Sequence, residues 1–268
     1  MICMRTSYLL RVSCAALAVT ALAACAANVG ARVDPAATKT GALGRGVAKS
    51  PAALGAPVDP VEGAGAVRLG GPAHADGAPM LYFTFDDGPD PGSTDLVLDE
   101  LDKTHTPATF FILGQFTQTE AEQALVKREV AEGFSVAAHG FTHPDMKKWE
   151  EPHVLAEIRR IRERIVTLTG SRPTCFRPPY GSYNQAVLTA AGKENLVVQL
   201  WDIDTLDWKH PDPDYIYTTI MKQLKPGAAI LMHDGRGHGK VTAEVVRRVV
   251  AAATAQGYRF GSMCPLAK

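Results

Sequence analysis

The chain has 268 residues, which is enough for one large α/β domain or two small ones. Its 28 basic and 28 acidic side chains give a formal net charge of +0. This balance excludes an overall electrostatic field that would recruit nucleic acid or an anionic surface, so local chemistry must carry the function.

Residues 1–25 have the character of an export signal. Arg5 and Arg11 precede an uncharged apolar run that is too short to span a membrane. The segment ends in Leu-Ala-Ala-Cys, which resembles a bacterial lipobox whose cysteine, here Cys25, is lipidated and becomes the mature N-terminus. An ordinary signal peptide with a chance cysteine is the alternative. We expect an exported lipoprotein on the cell surface or in the periplasm, or a secreted protein if Cys25 is not lipidated.

Residues 26–78 differ in composition from the rest of the chain. They are rich in Ala, Gly, Pro and Val, contain no aromatic residue and show neither a helical nor a strand period. Such a segment cannot assemble a core, so it predicts a disordered tether that leads to one globular domain at residues 79–268.

Two cysteines, Cys175 and Cys264, lie in the globular part. An oxidising compartment would allow them to pair, but nothing in the sequence brings them close. The sequence therefore does not decide whether Cys175 and Cys264 form a disulfide.

Short apolar runs alternate with longer amphipathic segments after Met80. The apolar runs predict strands at residues 81–85, 108–113, 134–138, 174–177, 196–201, 228–232 and 258–260. The amphipathic segments predict helices at residues 94–103, 120–132, 152–169, 184–191, 214–224 and 241–255. This alternation implies a parallel sheet covered by helices, either an open doubly wound sheet or a closed barrel. The element count favours the barrel, so we predict an α/β fold with a distorted (β/α)7-8 barrel of parallel strands.

The first predicted strand ends in two adjacent carboxylates, Asp86 and Asp87, followed by Gly88 and Pro89. Two neighbouring anions repel, so a site that keeps both ionised needs a cation nearby. A divalent metal would meet this need, with one Asp as ligand and the other as base. The competing interpretation is a solvated turn, for which Asp, Gly and Pro are ordinary residues.

Further polar residues follow the later strands: His139 and His143, Arg177 to Gly181, Asp204, Asp207 and Trp208, and His233 and Asp234. In a parallel barrel the C-terminal strand ends share one rim, so these residues should converge. His139 and His143 are spaced i and i+4, and both imidazoles would face one side if the segment forms a helical turn. Together with Asp87 they would make three zinc ligands, which leaves the open coordination position of a catalytic site.

These residues carry a resemblance to a known family. The segment from about residue 80 to residue 260 resembles the polysaccharide deacetylase domain of carbohydrate esterase family 4, also called the NodB homology domain. The five motifs of that family occur in order as TFDDGP at 84–89, HxxxH at 139–143, RPPYG at 177–181, DTLDW at 204–208 and LMH at 231–233. The resemblance covers the globular part only.

The resemblance implies catalytic roles for the matched residues. Asp87, His139 and His143 would bind the metal, usually zinc in this family, with another divalent ion such as cobalt as an alternative. Asp86 would be the general base, and His233 would protonate the departing amine. This chain has Ala138 and Gly140 around the first histidine, where many relatives have Asn before it and Ser or Thr after it, so the hydrogen bonds that orient His139 must come from elsewhere.

The remaining motif residues would support this machinery. Arg177 would pair with Asp86, and Asp207 would hold His233 as an imidazolium, with Asp204 as a weaker alternative. The backbone N–H of Tyr180 would stabilise the oxyanion. Tyr180 would also contact the substrate, together with the residues that would line the acetyl pocket, Trp208 and Leu231.

The sequence thus predicts a metal-dependent N-deacetylase that acts on N-acetylhexosamine residues of a cell-wall or extracellular glycan of peptidoglycan or chitin type. The alternatives are an O-acetyl esterase for an acetylated xylan-type polysaccharide and a non-catalytic glycan-binding lipoprotein. The expected partners are the acetylated glycan and, through Cys25, a membrane. No nucleic acid is expected, and we expect a monomer.

Overall fold

The computed structural model describes residues 61–268. The predicted export signal, Cys25 and the first part of the predicted tether, residues 26–60, lie outside the described residues. The described part contains six α-helices and a nine-stranded sheet. The strands are β1 (Val67–Arg68), β2 (Met80–Asp86), β3 (Ala108–Ile112), β4 (Ser135–Ala138), β5 (Cys175–Phe176), β6 (Val197–Gln199), β7 (Ile203–Asp204), β8 (Ala228–His233) and β9 (Arg259–Phe260).

The helices lie between the strands, as expected for β–α units. They are α1 (Thr94–Thr104), α2 (Glu120–Ala131), α3 (Glu151–Thr169), α4 (Gln185–Lys193), α5 (Pro213–Gln223) and α6 (Gly239–Ala255). No helix within residues 61–268 combines the length and the apolar character needed to span a bilayer.

All strand pairings in the sheet are parallel. The strand order is β1-β6-β5-β4-β3-β2-β8-β7, and β9 also pairs with β2. Within residues 61–268 the two ends of this order, β1 and β7, do not pair, so the sheet curls into an incomplete barrel. The predicted distorted barrel of parallel strands is confirmed.

Strand β2 lies at the centre of the sheet and is buried along its whole length. Its side chains alternate between the two faces. Leu81, Phe83 and Phe85 join the large core beneath the helices. Met80 and Tyr82 point into the curl of the sheet and pack there with Phe111 and Val197. The same alternation sends Asp86 into the curl, at its carboxyl end.

The helix ends follow from local chemistry. The hydroxyl of Thr119 and the carboxylate of Glu122 form a reciprocal capping box at the start of α2. The side chain of Asn184 accepts from the N–H of Val187 at the start of α4. Gly170, with a φ of +71°, ends α3 in the left-handed conformation that glycine adopts without steric cost.

The first strand corrects the predicted boundary of the tether. Val67 pairs with Val198 at the edge of the sheet, and the N–H of Leu200 donates to the carbonyl of Arg68 at 2.9 Å. The hydroxyl of Tyr82 donates to the carbonyl of Pro72. Residues 61–78 therefore belong to the folded domain, and the prediction that they are disordered is wrong. The contacts are made mainly by the backbone, which the absence of aromatic side chains does not reveal.

A disulfide joins Cys175 on β5 to Cys264 in the C-terminal segment. It closes a loop with a sequence separation of 89 residues. The antiparallel bridge between Arg172 and Ala267 fastens the same segment. The C-terminal residues are thus attached at the start of β5 by one covalent link and one backbone pairing.

We predict that replacing both cysteines, as in Cys175→Ser with Cys264→Ser, lowers the free energy of unfolding by about 2–5 kcal/mol, because the open loop gives the unfolded chain more conformational freedom. Urea unfolding of the purified domain measures this change. Reduction of the wild-type protein should shift the urea midpoint in the same direction, and should leave the midpoint of the double variant unchanged. Equal midpoints for oxidised and reduced wild type would contradict the prediction.

Candidate active site

Side chains from the carboxyl ends of the strands meet in one cavity of about 350 Å³. The loops that follow β2, β4, β5, β7 and β8 all contribute to it. It is lined by Asp86, Asp87, His139, His143, Tyr180, Gly181, Trp201, Asp204, Trp208, Leu231, His233 and Arg236. Residues that are up to about 150 positions apart in the sequence thus share one site, as parallel strands require.

Asp86 and Arg177 form a buried ion pair at the base of this cavity. Nη1 of Arg177 lies 2.6 Å from Oδ1 of Asp86 and 3.0 Å from the hydroxyl of Thr84. The remaining guanidinium nitrogens donate to backbone carbonyls of Gln199 and Leu200. Arg177 is completely buried, so it is a fixed internal partner of Asp86 and not a surface salt bridge.

Burial and the charge of Arg177 shift the pKa of Asp86 in opposite directions. Burial raises the pKa of the Asp86 carboxyl, and the positive charge of Arg177 pulls it back. Arg177 uses Oδ1, so Oδ2 is the oxygen left for the cavity; it lies 3.6 Å from Nε2 of His139. The geometry therefore leaves one carboxylate oxygen of Asp86 available as a proton acceptor.

Asp87, His139 and His143 bring one potential ligand atom each to a common point. These atoms all lie within 4.8 Å of one another. Oδ1 of Asp87 is 3.4 Å from Nε2 of His143 and 3.7 Å from Nε2 of His139. Asp87 has a φ of +74°, which breaks the alternation of the strand and lets it reach the same cavity as its neighbour Asp86.

Three further observations show that this donor set fits a divalent metal. Oδ1 of Asp87 is buried and has no hydrogen-bond partner among the described residues. Nδ1 of His139 lies 2.8 Å from the carbonyl oxygen of Arg177, which can only accept, so Nδ1 carries the proton and Nε2 presents its lone pair. Burial lowers the pKa of His143, and lowers that of His139 to about 3. Neutral imidazoles and an unpartnered carboxylate oxygen fit a divalent ion such as zinc.

The segment between the two histidines is a loop, not the helical turn on which the sequence argument relied. Gly140, directly after His139, has a φ of +106°, a backbone conformation that residues with a Cβ rarely adopt. Glu157 on α3 then holds the loop, since its Oε1 accepts from the N–H of Thr142 at 2.5 Å and from its hydroxyl at 2.7 Å. The imidazoles still converge, with ring centroids 5.2 Å apart.

His233, which lines the same cavity, is paired with Asp207. Nδ1 of His233 donates to Oδ1 of Asp207 at 2.7 Å, and the backbone N–H of His233 donates to Oδ2 at 2.7 Å. Burial alone would lower the pKa of His233, but the hydrogen bond and the charge of Asp207 outweigh it and raise that pKa to about 9. Asp204 does not take this position, because its carboxylate accepts from the N–H of Leu206.

The other predicted substrate residues lie at the mouth of the cavity. Tyr180 and Trp208 are 68% and 56% exposed, which places them where a polymer could lie across the opening. Leu231 is almost fully buried and lines the cavity. Tyr180 has a φ of +61°, and none of the hydrogen bonds of the described residues uses its backbone N–H.

Three residues with a place at the site escaped the sequence analysis: Glu157, Trp201 and Arg236. Glu157 looked like any acidic residue on an amphipathic helix, although it is 9% exposed. Trp201 was assigned to a strand, yet it lines the cavity. Arg236 lay in a Gly-rich segment without a recognised motif, and its Nε is 3.2 Å from Oδ2 of Asp87. Trp201 and Arg236 each stand three residues from a motif residue, which is a weak signal, and no signal in the sequence marked Glu157.

Comparison with known proteins agrees with this geometry. Residues 73–198 match the family model for polysaccharide deacetylase. A chitooligosaccharide deacetylase of Bradyrhizobium sp. (strain ANU 289) is 38% identical over 165 residues, which cover 61% of this chain and 74% of the relative. The solved structure of the peptidoglycan deacetylase PdaC from Bacillus subtilis is similar, with 32% identity and a TM-score of 0.63 over 69% of this chain and 88% of that one.

A further similar structure shows that membership of the family does not by itself establish catalytic activity. BA3943 from Bacillus anthracis, described as a carbohydrate esterase family 4 pseudoenzyme, is 27% identical with a TM-score of 0.64 over 69% of this chain and 64% of that one. Turnover must therefore be argued from the residues at the site, whereas the family follows from the match to the relatives. The chain belongs to the polysaccharide deacetylase family, carbohydrate esterase family 4.

Proposed function

We propose that the protein is a metal-dependent N-deacetylase that hydrolyses N-acetyl groups of N-acetylhexosamine residues in a cell-wall or extracellular glycan of peptidoglycan or chitin type. One observation carries the proposal: a proton acceptor, a set of metal-ligating atoms and a proton donor face one cavity. They are Asp86, the group of Asp87, His139 and His143, and His233. The names of the relatives support the choice of an N-acetylated glycan.

The metal would be held by Asp87, His139 and His143. Two imidazole nitrogens and one carboxylate oxygen form a donor set that zinc prefers, and cobalt is the alternative ion. When bound, such an ion acts as a Lewis acid that lowers the pKa of water and polarises a carbonyl group. The carbonyl of Arg177 fixes the tautomer of His139. This hydrogen bond orients the imidazole in a chain that has Gly140, and not Ser or Thr, after the histidine.

Asp86 is the proposed general base. Its Oδ2 accepts the proton of the water that attacks the acetyl carbonyl, while Arg177 keeps the carboxylate in place through Oδ1. The raised pKa favours proton uptake at the moment of attack. The backbone N–H of Tyr180 is the proposed donor to the oxyanion that develops on the carbonyl oxygen.

His233 is the proposed general acid. Its Nδ1 is bound to Asp207, which leaves Nε2 to donate a proton to the amide nitrogen. An amine leaves readily only after it has been protonated, and without a donor the tetrahedral intermediate would revert. Leu231 and Trp208 supply the apolar lining for the acetyl methyl group.

We also propose that the protein is exported and anchored through a lipid on Cys25. The support is the apolar run that ends in Leu-Ala-Ala-Cys, together with a substrate class that lies outside the cytoplasm. Anchoring would keep the domain close to its glycan.

The first prediction concerns the metal and the base. We expect a chelator to abolish acetate release from N-acetylglucosamine oligomers, and added zinc to restore it. Asp86→Asn should lower kcat by roughly a factor of 10² or more with the metal still bound, because the proton acceptor is lost. Asp99→Asn, an exposed change on α1, is the matched control.

The assay measures acetate release from the oligomers and from acetylated xylan. The metal content of each protein sample is measured alongside by mass spectrometry. Full activity of Asp86→Asn would remove Asp86 as the base. Acetate release from acetylated xylan but not from the oligomers would show that the protein is an O-acetyl esterase.

The second prediction concerns pH. Asp207, with smaller contributions from the carboxylates of Asp86 and Asp87, raises the pKa of His233 to about 9, so the imidazole stays protonated below that pH and loses its proton above it. We expect kcat to fall as the pH rises through about 9. Asp207→Asn removes the charge that favours the protonated form, so the alkaline limb should move to lower pH by about one unit or more. A pH profile of kcat from 6 to 10 with an unmoved alkaline limb in the variant would contradict the role of the pair.

The third prediction concerns the anchor. Cys25→Ser removes the thiol to which the lipid would be attached, so the protein should move from the membrane fraction to the soluble exported fraction. Fractionation with immunodetection, together with labelling by a radioactive fatty acid, measures both effects. Equal membrane retention of the variant and the wild type would show that Cys25 is not the anchor.

A further inference from the structure

Arg236 puts an unassigned positive charge at the mouth of the cavity. It lies on the loop between β8 and α6, its side chain is 50% exposed, and its Nε is 3.2 Å from Oδ2 of Asp87. Among the described residues that line the cavity it is the only lysine or arginine. The other nearby guanidinium, that of Arg177, is buried and bound to Asp86. Arg236 has no part in the proposed mechanism.

The loop that carries Arg236 is held tightly on both sides of it. A Cβ on Gly235 would lie 2.3 Å from the carbonyl oxygen of Asp87, and one on Gly239 would lie 2.0 Å from that of Ser93, so both glycines are needed for close backbone approach. The N–H of Gly237 donates to Oδ2 of Asp90 at 2.9 Å. The backbone of Arg236 is therefore fixed at the mouth of the cavity, while its long side chain keeps contact with solvent.

The contact with Asp87 leaves part of the guanidinium of Arg236 available. Its Nε lies beside Oδ2 of Asp87, whereas Oδ1 is the unpartnered oxygen that we assign to the metal, so the arginine and an ion would not compete for one atom. No hydrogen bond or ion pair within residues 61–268 uses Nη1 or Nη2, and the side chain is half exposed at the mouth of the cavity. A guanidinium has a planar pair of N–H donors that matches a carboxylate, and such charge-assisted pairs are among the strong hydrogen bonds in proteins.

We propose that Arg236 is a specificity-determining residue that binds a carboxylate substituent of the glycan close to the sugar that loses its acetyl group. This proposal rests on the proposed function and makes it narrower. The preferred substrate class is an N-acetylated glycan in which sugars carry a carboxylate, as in the lactyl ether of a muramic-acid-type residue, and not a neutral chitin-type polymer.

The test uses two substrates that differ only in their lactyl groups. One is a peptidoglycan-derived tetrasaccharide with free lactyl carboxylates, and the other is the same tetrasaccharide with those groups converted to carboxamides. We expect kcat/KM of the wild-type enzyme to be about tenfold or more higher for the carboxylate form, chiefly through KM. In Arg236→Gln this preference should fall to near unity, and in Arg236→Lys it should be intermediate, because the charge remains but the paired donors are lost.

The matched control is Arg247→Gln. Arg247 is an exposed arginine on α6 that does not line the cavity, so the same change in net charge should leave the substrate preference as in wild type. An unchanged preference in Arg236→Gln, or no preference in wild type, overturns the proposal. Zinc affinity, measured by titration calorimetry, gives a second readout: if Arg236→Gln alters zinc binding alone and not the preference, the arginine serves only as a counter-ion for Asp87, and the proposal fails.

Binding measurements separate this proposal from the proposed function. Zinc-loaded Asp86→Asn, alone and combined with Arg236→Gln, is titrated with both tetrasaccharides by calorimetry. Tighter binding of the carboxylate form that disappears with Arg236 supports the proposal even if no protein releases acetate, in which case only the proposed function fails. Equal binding of the two forms to Asp86→Asn overturns the role of Arg236 even if acetate is released.

Discussion

The buried ion pair between Arg177 and Asp86 is the interaction on which the rest of the site depends. Removing one partner of a buried pair commonly costs about 3–5 kcal/mol, since the other charge is left without compensation. Here the same arginine also bonds Thr84 and two carbonyls of the β6 end, and its own carbonyl accepts from His139. One side chain and its backbone thus join β2, β4, β5 and β6 around the proposed base.

Histidine has two different proposed roles in this cavity, metal ligand and general acid, and its surroundings decide which. Burial lowers the pKa of His139 and His143, which keeps both imidazoles neutral and able to ligate. Asp207 raises the pKa of His233 enough to overcome burial, which keeps that imidazole charged and able to donate a proton. The different surroundings thus separate the pKa values of the histidines, so that one can act as an acid and the other two as ligands within one small cavity.

Much of the fold and of the candidate site could be predicted because the signals are local. Alternating buried strands and amphipathic helices fixed the parallel barrel, and motif residues such as Asp86, His139 and His233 follow predicted strands directly. Strands β1 and β7 could not be predicted, since each has only two residues, which are held by backbone pairing at an edge of the sheet. The convergence of His139 and His143 depends on the positive φ at Gly140 and on Glu157 from α3, and the Cys175–Cys264 pairing depends on the C-terminal segment lying against β5 in the folded chain. These features exist only once distant segments have met.

The central claim is that Asp87, His139 and His143 hold one ion beside Asp86. X-ray absorption spectroscopy of the purified protein loaded with one equivalent of zinc tests this most directly, with His139→Ala as comparison. The account predicts two imidazole nitrogens and at least one oxygen at about 2.0–2.2 Å, and the loss of one imidazole in the variant. A zinc spectrum that shows no imidazole ligands, or one that is the same in His139→Ala, would contradict it.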